Sequence, residues 1–327
     1  MGLWTPNPGD PVKPTLSGPN SLISPLLAQF TTFQLGGPCR CLMECATPDA
    51  LLSAVRQLAR ENTHFLLIGG GSNLVISDAG IDTVVIRYAS PTPLIERDGD
   101  NVRVAASTEL DALALFTVEE GLEGLIYTCG IPGTVGGAVV GNAGAWGKQV
   151  GDVLKSAVIL DKQGNTKMVG PGYFSFSYRH SRLKETDDII LEATFGLKSS
   201  DPIALANERA QILRARAEKH PKLTTHPCAG SFFRNIEPSS KAGQRQAAGW
   251  FLEQAGGKNL NSGGARIFDQ HANIIIKGPH CTAQDVYDLH LKMIGLVKNK
   301  FGLTLKREVR FAGKFNHAPG ANERGFW

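Results

Sequence analysis

The sequence has little net charge, few cysteines and no long hydrophobic run. Its 34 basic and 30 acidic residues leave a net charge of +4 over 327 residues, which is too weak to indicate nucleic-acid binding. No apolar run approaches the roughly 18 residues that a transmembrane helix needs. Residues 1–30 also lack the basic start and apolar core of a secretory signal. We therefore expect a protein that contacts neither nucleic acid nor membrane.

The six cysteines are too few for a disulfide scaffold in a chain of this length, and we expect a cytoplasmic protein. Cys39, Cys41 and Cys45 are separated by even numbers of residues, so in a strand they would share one face with Met43. Metal ligands and buried thiols both fit that spacing. Buried thiols are favoured, because no second pair of residues has the spacing of a zinc site, and we expect no metal.

Glycine is what the sequence has in excess. The 37 glycines make up about 11% of the chain, against roughly 7% in ordinary proteins. The 42% of hydrophobic residues is typical of a folded globular chain, and the length allows two or three domains. Many of the glycines fall in two stretches, 69–71 and 130–147, so the excess is local.

Hydrophobic periodicity and capping signals predict mixed strands and helices. Thr47-Pro48-Asp49 is typical of a helix start, and Thr282 with Asp285 resembles a capping box. Four helices are predicted: one that starts at Pro48, one at 108–120, one at 203–219, and one from Thr282 to Phe301. The predicted strands are 39–45, 65–68, 74–76, 84–86, 102–105, 157–160, 189–193, 273–276 and 303–311.

The two glycine stretches fail the common phosphate-binding fingerprints. Leu74 stands where a Rossmann fingerprint needs a glycine, and the second stretch lacks the Gly-Lys-Ser/Thr end of a P-loop. Glycine-rich backbone can still form an anion-binding concavity. Structural turns explain either stretch alone, whereas the two together favour a dinucleotide held by loops. Polar groups for it would come from Ser72, Asn73, Thr134 and Asn142.

Seven motifs follow one another along the chain. They lie at residues 69–74, 130–145, 176–181, 229–235, 248–256, 271–273 and 308–310. The first is Gly-Gly-Gly-Ser-Asn-Leu, the third contains Tyr-Arg-His-Ser, and the fourth contains Gly-Ser-Phe-Phe-Arg-Asn. The ordered set resembles the UDP-N-acetylenolpyruvoylglucosamine reductase family over about residues 31–313. The short interval from Phe195 to Ser231 is similar to the subtype that lacks an extra tyrosine-bearing loop.

The resemblance implies an enzyme that reduces the enolpyruvyl group of UDP-N-acetylglucosamine enolpyruvate to UDP-N-acetylmuramate, with non-covalent FAD and with NADPH as reductant. Arg179 and Glu308 would stabilise the enolate, and Ser231 would protonate C2. The implied FAD-binding residues are Thr32, Gly36, Gly37, Gly69, Gly70, Gly71, Ser72, Asn73, Leu74, Gly130, Ile131, Pro132, Gly133, Thr134, Gly136, Gly137, Asn142, Ala143 and Gly144. The implied substrate-binding residues are Tyr178, Arg216, Lys219, Arg234, Asn235, Gln254 and His271.

The fold implied by the resemblance is α+β. A two-lobed FAD-binding domain of the vanillyl-alcohol-oxidase/PCMH type would occupy residues 28–198, with its lobes meeting at about residue 106. A smaller α+β substrate-binding domain would follow at 199–316. A flexible arm at 1–27 and a tail at 317–327 would flank them. The implied protein is a cytoplasmic monomer of peptidoglycan synthesis, and so contributes to cell shape and division.

The residues alone leave other interpretations open. Arg179 and Glu308 also fit surface ion pairs, and Ser231 also fits a turn or a helix cap. The basic side chains around the helix at 203–219 suit either a UDP-sugar diphosphate or a solvated helix face. The competing functions are another FAD oxidase on the same scaffold and a non-catalytic regulator that binds flavin or sugar nucleotide.

Four positions depart from the pattern of the family. Ile126 lies where Glu is frequent, Arg234 replaces Lys, Ile236 replaces Pro and Lys277 replaces Asn. A polar run at 237–246 is similar to an insertion. Arg234 keeps the charge but changes the donor geometry. These departures affect the expected contacts with substrate and flavin, and they leave the three catalytic residues in place.

Overall fold

A computed structural model describes residues 13–15, 25–161, 163–186, 188–237 and 245–316. Within the predicted N-terminal arm, residues 1–12 and 16–24 lie outside the described residues, whereas Lys13–Thr15 form a strand. The predicted tail at 317–327 also lies outside them.

The described ranges contain six α-helices whose ends follow local sequence signals. Thr47 caps the first helix with its side chain and Pro48 is the first helical residue, as predicted. The capping box of Thr282 and Asp285 is present, and Gly302 ends that helix with a left-handed backbone. None of these helices is long and apolar enough to cross a membrane. They are α1 Pro48–Arg60, α2 Leu110–Glu119, α3 Val135–Gly141, α4 Pro202–Lys219, α5 Ala248–Gln254 and α6 Ala283–Phe301.

The same ranges contain nineteen strands, arranged in three larger sheets and three small pairings. The strands are β1 Lys13–Thr15, β2 Cys39–Cys45, β3 Phe65–Ile68, β4 Leu74–Ile76, β5 Ile81–Tyr88, β6 Ile95–Asp98, β7 Asn101–Ala105, β8 Leu122–Glu123, β9 Gly144–Ala145, β10 Lys148–Gln149, β11 Leu154–Leu160, β12 Thr166–Val169, β13 Ile189–Gly196, β14 Lys198–Ser199, β15 Cys228–Ser231, β16 Asn261–Ser262, β17 Ala265–Phe268, β18 His271–Lys277 and β19 Arg310–Ala312.

Two of the larger sheets lie in the part of the chain before α4. The first has the strand order β1-β2-β5-β3, and the second has the order β12-β11-β13-β7-β6. One buried core joins them and includes Leu51 of α1, Ile86 of β5 and Ile159 of β11. Because β6 and β7 pair within the second sheet, the change of sheet falls between Tyr88 and Ile95. This is earlier than the lobe boundary predicted at about residue 106.

The third larger sheet has the order β15-β18-β17-β16, with antiparallel neighbours, and α5 and α6 pack on it. Its core contains Phe232, Ile274 and Val286, and also Val75 of β4. The last strand, β19, pairs in parallel with β4. The strand that follows the first glycine stretch is therefore hydrogen-bonded to the C-terminal segment.

Helix α4 confirms the basic helix predicted at 203–219, and it packs against α2. Leu205 of α4 shares a buried cluster with Ala114 and Val118 of α2. The sequence interpretation assigns this helix to the substrate domain at 199–316. Its packing lies instead against the part of the chain that is predicted to bind FAD.

The strand predicted at 303–311 is wrong over most of its length, because only Arg310–Ala312 is a strand. The residues before it are irregular apart from one bridge between Phe233 and Arg307. The Glu308 N–H donates to Phe232 O at 2.9 Å, so this segment follows the loop after β15 instead of extending a ladder. The continuous strand predicted at 303–311 therefore does not form.

The three closely spaced cysteines lie on β2, as predicted. Cys39 and Cys45 are buried, and burial raises the pKa of the Cys39 thiol to about 11 and that of the Cys45 thiol to about 12. Both therefore remain protonated at neutral pH. Among the described residues, no group of three or more His, Cys, Asp or Glu side chains is placed to hold a metal ion.

Candidate active site

Two adjoining cavities meet at the glycine stretches, and one of them is also lined by α4 and the third sheet. Their volumes are about 770 Å³ and 780 Å³. They share a wall formed by Gly70, Asp111, Leu223 and the segment 131–134. The first cavity also contacts 69–74, Arg179, Ser231 and Glu308, among other residues, and we call it the catalytic cavity. The second extends toward Thr32, Arg87 and Ser90, and we call it the outer cavity.

The first glycine stretch turns the chain between β3 and β4. Gly71 has φ +60°, a conformation that favours glycine, and its carbonyl accepts a hydrogen bond from Thr32 N at 3.2 Å. A Cβ atom on Gly70 would lie 3.0 Å from the Gly133 Cα atom. The two glycine stretches are therefore in direct contact, and side chains on these residues would fill the space between them.

The second glycine stretch is a loop followed by the short helix α3, which the sequence interpretation did not predict. Thr134 is the N-cap residue, and its hydroxyl accepts from Gly137 N at 3.3 Å. A Cβ atom on Gly69 would lie 2.4 Å from the Thr134 hydroxyl oxygen. Ser72 donates its hydroxyl to Pro132 O at 3.0 Å, which is a second link between the two stretches.

Asn73 connects the first glycine stretch to the C-terminal segment. Its side-chain amide donates to Glu308 O at 3.2 Å, and its own carbonyl accepts from Arg310 N at 3.1 Å. The resemblance places Asn73 among the FAD-binding residues. The structure gives it a further contact, which fixes the backbone on both sides of Val309.

Arg179 and Glu308 form an ion pair in the wall of the catalytic cavity. The Arg179 Nε atom lies 3.2 Å from Glu308 Oε1, and both side chains are about three-quarters buried. Arg179 has φ +55°, which is uncommon for a residue with a side chain. Burial raises the pKa of the Glu308 carboxyl against the opposing charges of Arg179, Lys184 and Arg234. Glu308 is therefore a stronger candidate for a proton donor than an exposed glutamate.

Ser231 enters the same cavity from the end of β15. It pairs with Ile274 of β18, and Gly230 before it has φ +72°. The ladder between β15 and β18 shifts register before Ser231, which is the local geometry of a bulge. Arg179, Ser231 and Glu308 come from three separate regions of the chain, and all three contact the catalytic cavity.

Comparisons with known proteins identify the family of this chain. A family model described as UDP-N-acetylenolpyruvoylglucosamine reductase, C-terminal domain, matches residues 221–312, and a model of an FAD binding domain matches residues 39–170. UDP-N-acetylenolpyruvoylglucosamine reductase 2 of Symbiobacterium thermophilum is 35% identical over 287 residues, which cover 88% of this chain and 90% of that protein. The chain belongs to the UDP-N-acetylenolpyruvoylglucosamine reductase family.

Two further members support the assignment to this family. UDP-N-acetylenolpyruvoylglucosamine reductase 1 of Bacillus cereus is 35% identical over 294 residues, or 90% of this chain and 95% of that protein. The crystal structure of the reductase from Thermus caldophilus superposes with a TM-score of 0.73 at 29% identity, covering 89% of this chain and 98% of that one. The fold is α+β with an FAD-binding domain and the family's C-terminal domain, as predicted.

The basic residues of α4 have specific partners, so the helix is not simply a solvated face. Arg209 forms a bidentate pair with Asp111 at 2.8 and 2.9 Å, and Asp111 also accepts from Gly130 N at 2.8 Å. Burial alone would raise the pKa of Asp111, but these hydrogen bonds outweigh it and hold the pKa below its usual value. The pair therefore anchors the second glycine stretch to α4.

Two other basic residues of α4 reach the catalytic cavity. Arg216 donates to Tyr127 O at 3.1 Å, and its guanidinium lies 4.9 Å from the centre of the Trp146 ring. Lys219 and Arg216 both contact the catalytic cavity. The resemblance implies that both residues bind substrate, and this role stays a prediction.

The structure brings some implied FAD-binding residues to the cavities and holds others away. Gly36, Gly37, Gly136 and Asn142 line neither cavity. Asn142 is buried, and its side chain bonds Gln149, Ser177 O and Gly151 N. The remaining members of the implied FAD set contact at least one cavity: Thr32, Gly69, Gly70, Gly71, Ser72, Asn73, Leu74, Gly130, Ile131, Pro132, Gly133, Thr134, Gly137, Ala143 and Gly144.

Five implied substrate-binding residues lie beside the catalytic cavity or farther away. The Tyr178 hydroxyl accepts from Asn235 N at 3.3 Å, and the His271 ring packs 5.7 Å from that of His220, which lines the cavity. Gln254 is exposed near the end of α5. Arg234 does not line the cavity, but its charge acts on both Lys184 and Glu308.

Among the residues that contact the catalytic cavity and that sequence reasoning missed are Asp111, Trp146, Lys184 and Arg310. The motif containing Arg179 ends just before Lys184, and the motif containing Glu308 includes Arg310. Burial and the charges of Arg234 and Arg307 lower the pKa of Arg310 to about 10. These cations could have been suspected from the motifs, whereas Asp111 gave no signal because its partner Arg209 lies 98 residues away.

The departures from the family pattern are also accommodated. Lys277 donates its ammonium group to Gln34 O at 2.6 Å, and Ile236 exchanges backbone hydrogen bonds with Gln246. Ile126 is buried in the cluster between α2 and α4.

The catalytic cavity and the outer cavity fit FAD, because glycine backbone with no room for a Cβ atom lines the wall that they share.

Proposed function

We propose that this chain reduces the enolpyruvyl group of UDP-N-acetylglucosamine enolpyruvate to UDP-N-acetylmuramate with electrons from NADPH. One observation carries the proposal. The two glycine stretches and the three implied catalytic residues, Arg179, Ser231 and Glu308, meet at a single cavity. Membership of the family and the match to an FAD binding domain support the same reaction.

The residues that would hold FAD are those of the two glycine stretches at the shared wall. Their backbone amides suit the pyrophosphate, and Ser72 and Thr134 already fix the loop geometry through hydrogen bonds. When bound, FAD accepts a hydride from NADPH and supplies it to the carbon-carbon double bond of the substrate. Thr32 and Arg87 would lie along the outer cavity.

Reduction of the enol ether places negative charge on the carboxylate side of the substrate. Arg179 offers a planar guanidinium for the carboxylate. Burial raises the pKa of the Glu308 carboxyl, so it would take up a proton more readily than an exposed glutamate, and in its protonated form it would donate a hydrogen bond to the developing enolate. The ion pair between Arg179 and Glu308 positions these two groups before substrate binds.

Ser231 would transfer its hydroxyl proton to C2 of the substrate. A hydroxyl is a weak acid in water, so this step requires a strongly basic enolate and replacement of the proton by neighbouring groups or solvent. The position of Ser231 at the end of β15, in the wall of the catalytic cavity, supports this role.

The remaining basic residues would bind the diphosphate of the substrate. Arg216 and Lys219 contact the cavity and are the strongest candidates. Tyr178, Arg234, Asn235, Gln254 and His271 would complete the substrate site. Within the cell we place the protein in the cytoplasm as a monomer of peptidoglycan synthesis, where it would affect cell shape and division.

The test is substrate-dependent NADPH oxidation by the purified yellow protein. We expect NADPH consumption to require the enolpyruvyl sugar nucleotide and to yield a product heavier by two hydrogens, measured by mass spectrometry. NADPH oxidation at the same rate without that substrate would indicate an oxidase on the same scaffold. A protein that binds flavin without any turnover would indicate the regulator.

A further inference from the structure

Lys184 lies in the wall of the catalytic cavity at the end of a short turn, Arg182–Lys184. Its ammonium group donates to Arg179 O at 2.7 Å. This bond spans five residues and closes the chain around Arg179, whose φ is +55°. A left-handed backbone is unfavourable for a residue with a side chain, so the bond holds Arg179 in a conformation that it would otherwise tend to leave.

Lys184 also lies within a cluster of like charges. The charged groups that face it are Arg179, five residues earlier, Arg234 after β15, Glu308 before β19 and Arg310 in β19. Three cations, Arg179, Lys184 and Arg234, thus act on the Glu308 carboxylate, and Arg310 is a fourth cation that acts on Lys184. Burial is the main cause that lowers the pKa of Lys184 to about 8, and the charges of Arg310 and Arg234 add to it.

The cluster has donors in excess of its acceptors. Within the described part of the chain, the buried Arg234 Nε has no hydrogen-bond partner. An ammonium group has three donors, and the bond to Arg179 O uses one of those on Lys184. A single carboxylate cannot satisfy four cations, so the cluster is complementary to an additional anion.

We propose that Lys184 is a positioning residue for the enolpyruvyl carboxylate: it holds the backbone at Arg179 and supplies a charge that attracts this anion. The proposal rests on the proposed function for the identity of the carboxylate. The anion-binding cluster itself depends only on the geometry of these side chains. Lys184 was not among the residues implied by the sequence.

Because Lys184 loses its charge as the pH rises through about 8, anion binding should depend on pH in this range. Below about pH 8 the ammonium group of Lys184 is charged and attracts the anion, and above that pH it becomes neutral. Anion affinity therefore falls as the pH rises through about 8. Bound anion stabilises the charged form, so binding is accompanied by proton uptake.

The experiment compares the wild-type holoprotein with Lys184→Met, Lys184→Arg and the control Lys155→Met. Lys155 donates to Asn101 on the exposed surface and lines neither cavity. Inorganic phosphate is the probe, and its Kd is measured from the change in flavin absorbance between pH 6.5 and 9. The same samples are tested for flavin content, for reduction by NADPH and for reoxidation by the enolpyruvyl sugar nucleotide.

We expect Lys184→Met to keep its flavin and its reduction by NADPH, to bind phosphate about tenfold more weakly at pH 7, and to lose the dependence on pH around 8. Lys184→Arg should retain binding without that pH dependence, and Lys155→Met should match the wild type. Equal phosphate affinity and pH dependence in Lys184→Met and the wild type would overturn the proposal. If phosphate binding depends on Lys184 but the wild type is not reoxidised by the sugar nucleotide, the proposed function fails and the anion cluster stands.

Discussion

Substitution of Gly71 by alanine should remove FAD binding at a predictable cost in stability. The backbone at Gly71 has φ +60°, and a Cβ atom there would lie 2.0 Å from Phe30 O and 2.9 Å from the Thr31 Cα. Because these are backbone atoms, no side-chain rotation can relieve the contact. The turn between β3 and β4 would have to move away from the segment that contains Thr32.

The magnitude follows from two separate effects. A left-handed backbone costs an alanine about 1–2 kcal/mol, and overpacking of a close contact costs about 1–3 kcal/mol more. Gly99 offers a matched control, since its φ is +58° and a Cβ atom there meets nothing within 4 Å. Gly99→Ala should therefore cost only about 1–2 kcal/mol, whereas Gly71→Ala should cost about 2–5 kcal/mol.

The assay is urea unfolding of the flavin-free proteins by circular dichroism, together with the ratio of flavin to protein after purification. We expect a larger drop in the urea midpoint for Gly71→Ala than for Gly99→Ala, and flavin loss in Gly71→Ala alone. Equal midpoints for the two variants would refute the steric reasoning. Full flavin content in Gly71→Ala would refute the role of this turn in cofactor binding.

Three further substitutions test individual groups of the site. Ser231→Ala should leave flavin reduction by NADPH intact and slow reoxidation by substrate at least 10²-fold, measured by stopped-flow absorbance; loss of flavin binding would show that its role is wrong. Glu308→Gln should retain the flavin spectrum and lose about 10²-fold in turnover, and normal turnover would remove Glu308 from the catalytic set. Asp111→Asn should weaken FAD binding about fivefold by fluorescence titration, because the loop at Gly130 loses a charged acceptor. An unchanged Kd for FAD would show that the contact of Asp111 with Arg209 does not position this loop.

Local signals in the sequence were sufficient for much of the fold. The caps at Thr47 and Thr282 predicted two helices correctly because hydrogen bonds within a few residues decide where a helix begins. The cysteines of β2 were predicted as buried thiols from their spacing and the lack of a second ligand pair, which is correct for Cys39 and Cys45, whereas Cys41 is half-buried. Short-range chemistry of this kind is visible without any knowledge of the tertiary structure.

The predictions that failed depend on partners distant in the chain. The segment before Arg310 looks like a strand by alternation. Its backbone instead bonds the loop after β15, since Glu308 N donates to Phe232 O and Lys306 O accepts from Arg234 N, and no local pattern reveals these contacts. The sequence identified helix α4 as basic, but its packing on α2 depends on contacts between residues that are distant in the chain. The helix α3 was missed because its glycines are poor helix formers, and the cap at Thr134 offsets that preference.

The candidate site likewise combines residues that sequence motifs identified with contacts that only the structure shows. Motifs identified Arg179, Ser231 and Glu308, and these three meet at one cavity. The bond from Lys184 to the Arg179 carbonyl and the contact of Asn73 with Glu308 required coordinates. The latter joins positions 235 residues apart, and a sequence pattern carries no information about such a distance.

The central claim is that the glycine-lined cavity and the Arg179, Ser231 and Glu308 side chains form one reductase site. The most direct measurement is a two-step experiment without oxygen. NADPH is added first to reduce the bound flavin, and the enolpyruvyl sugar nucleotide is added afterwards, with the flavin absorbance recorded throughout. We predict bleaching by NADPH and full recovery of the absorbance in proportion to the substrate added. A flavin that bleaches but does not recover would contradict the claim.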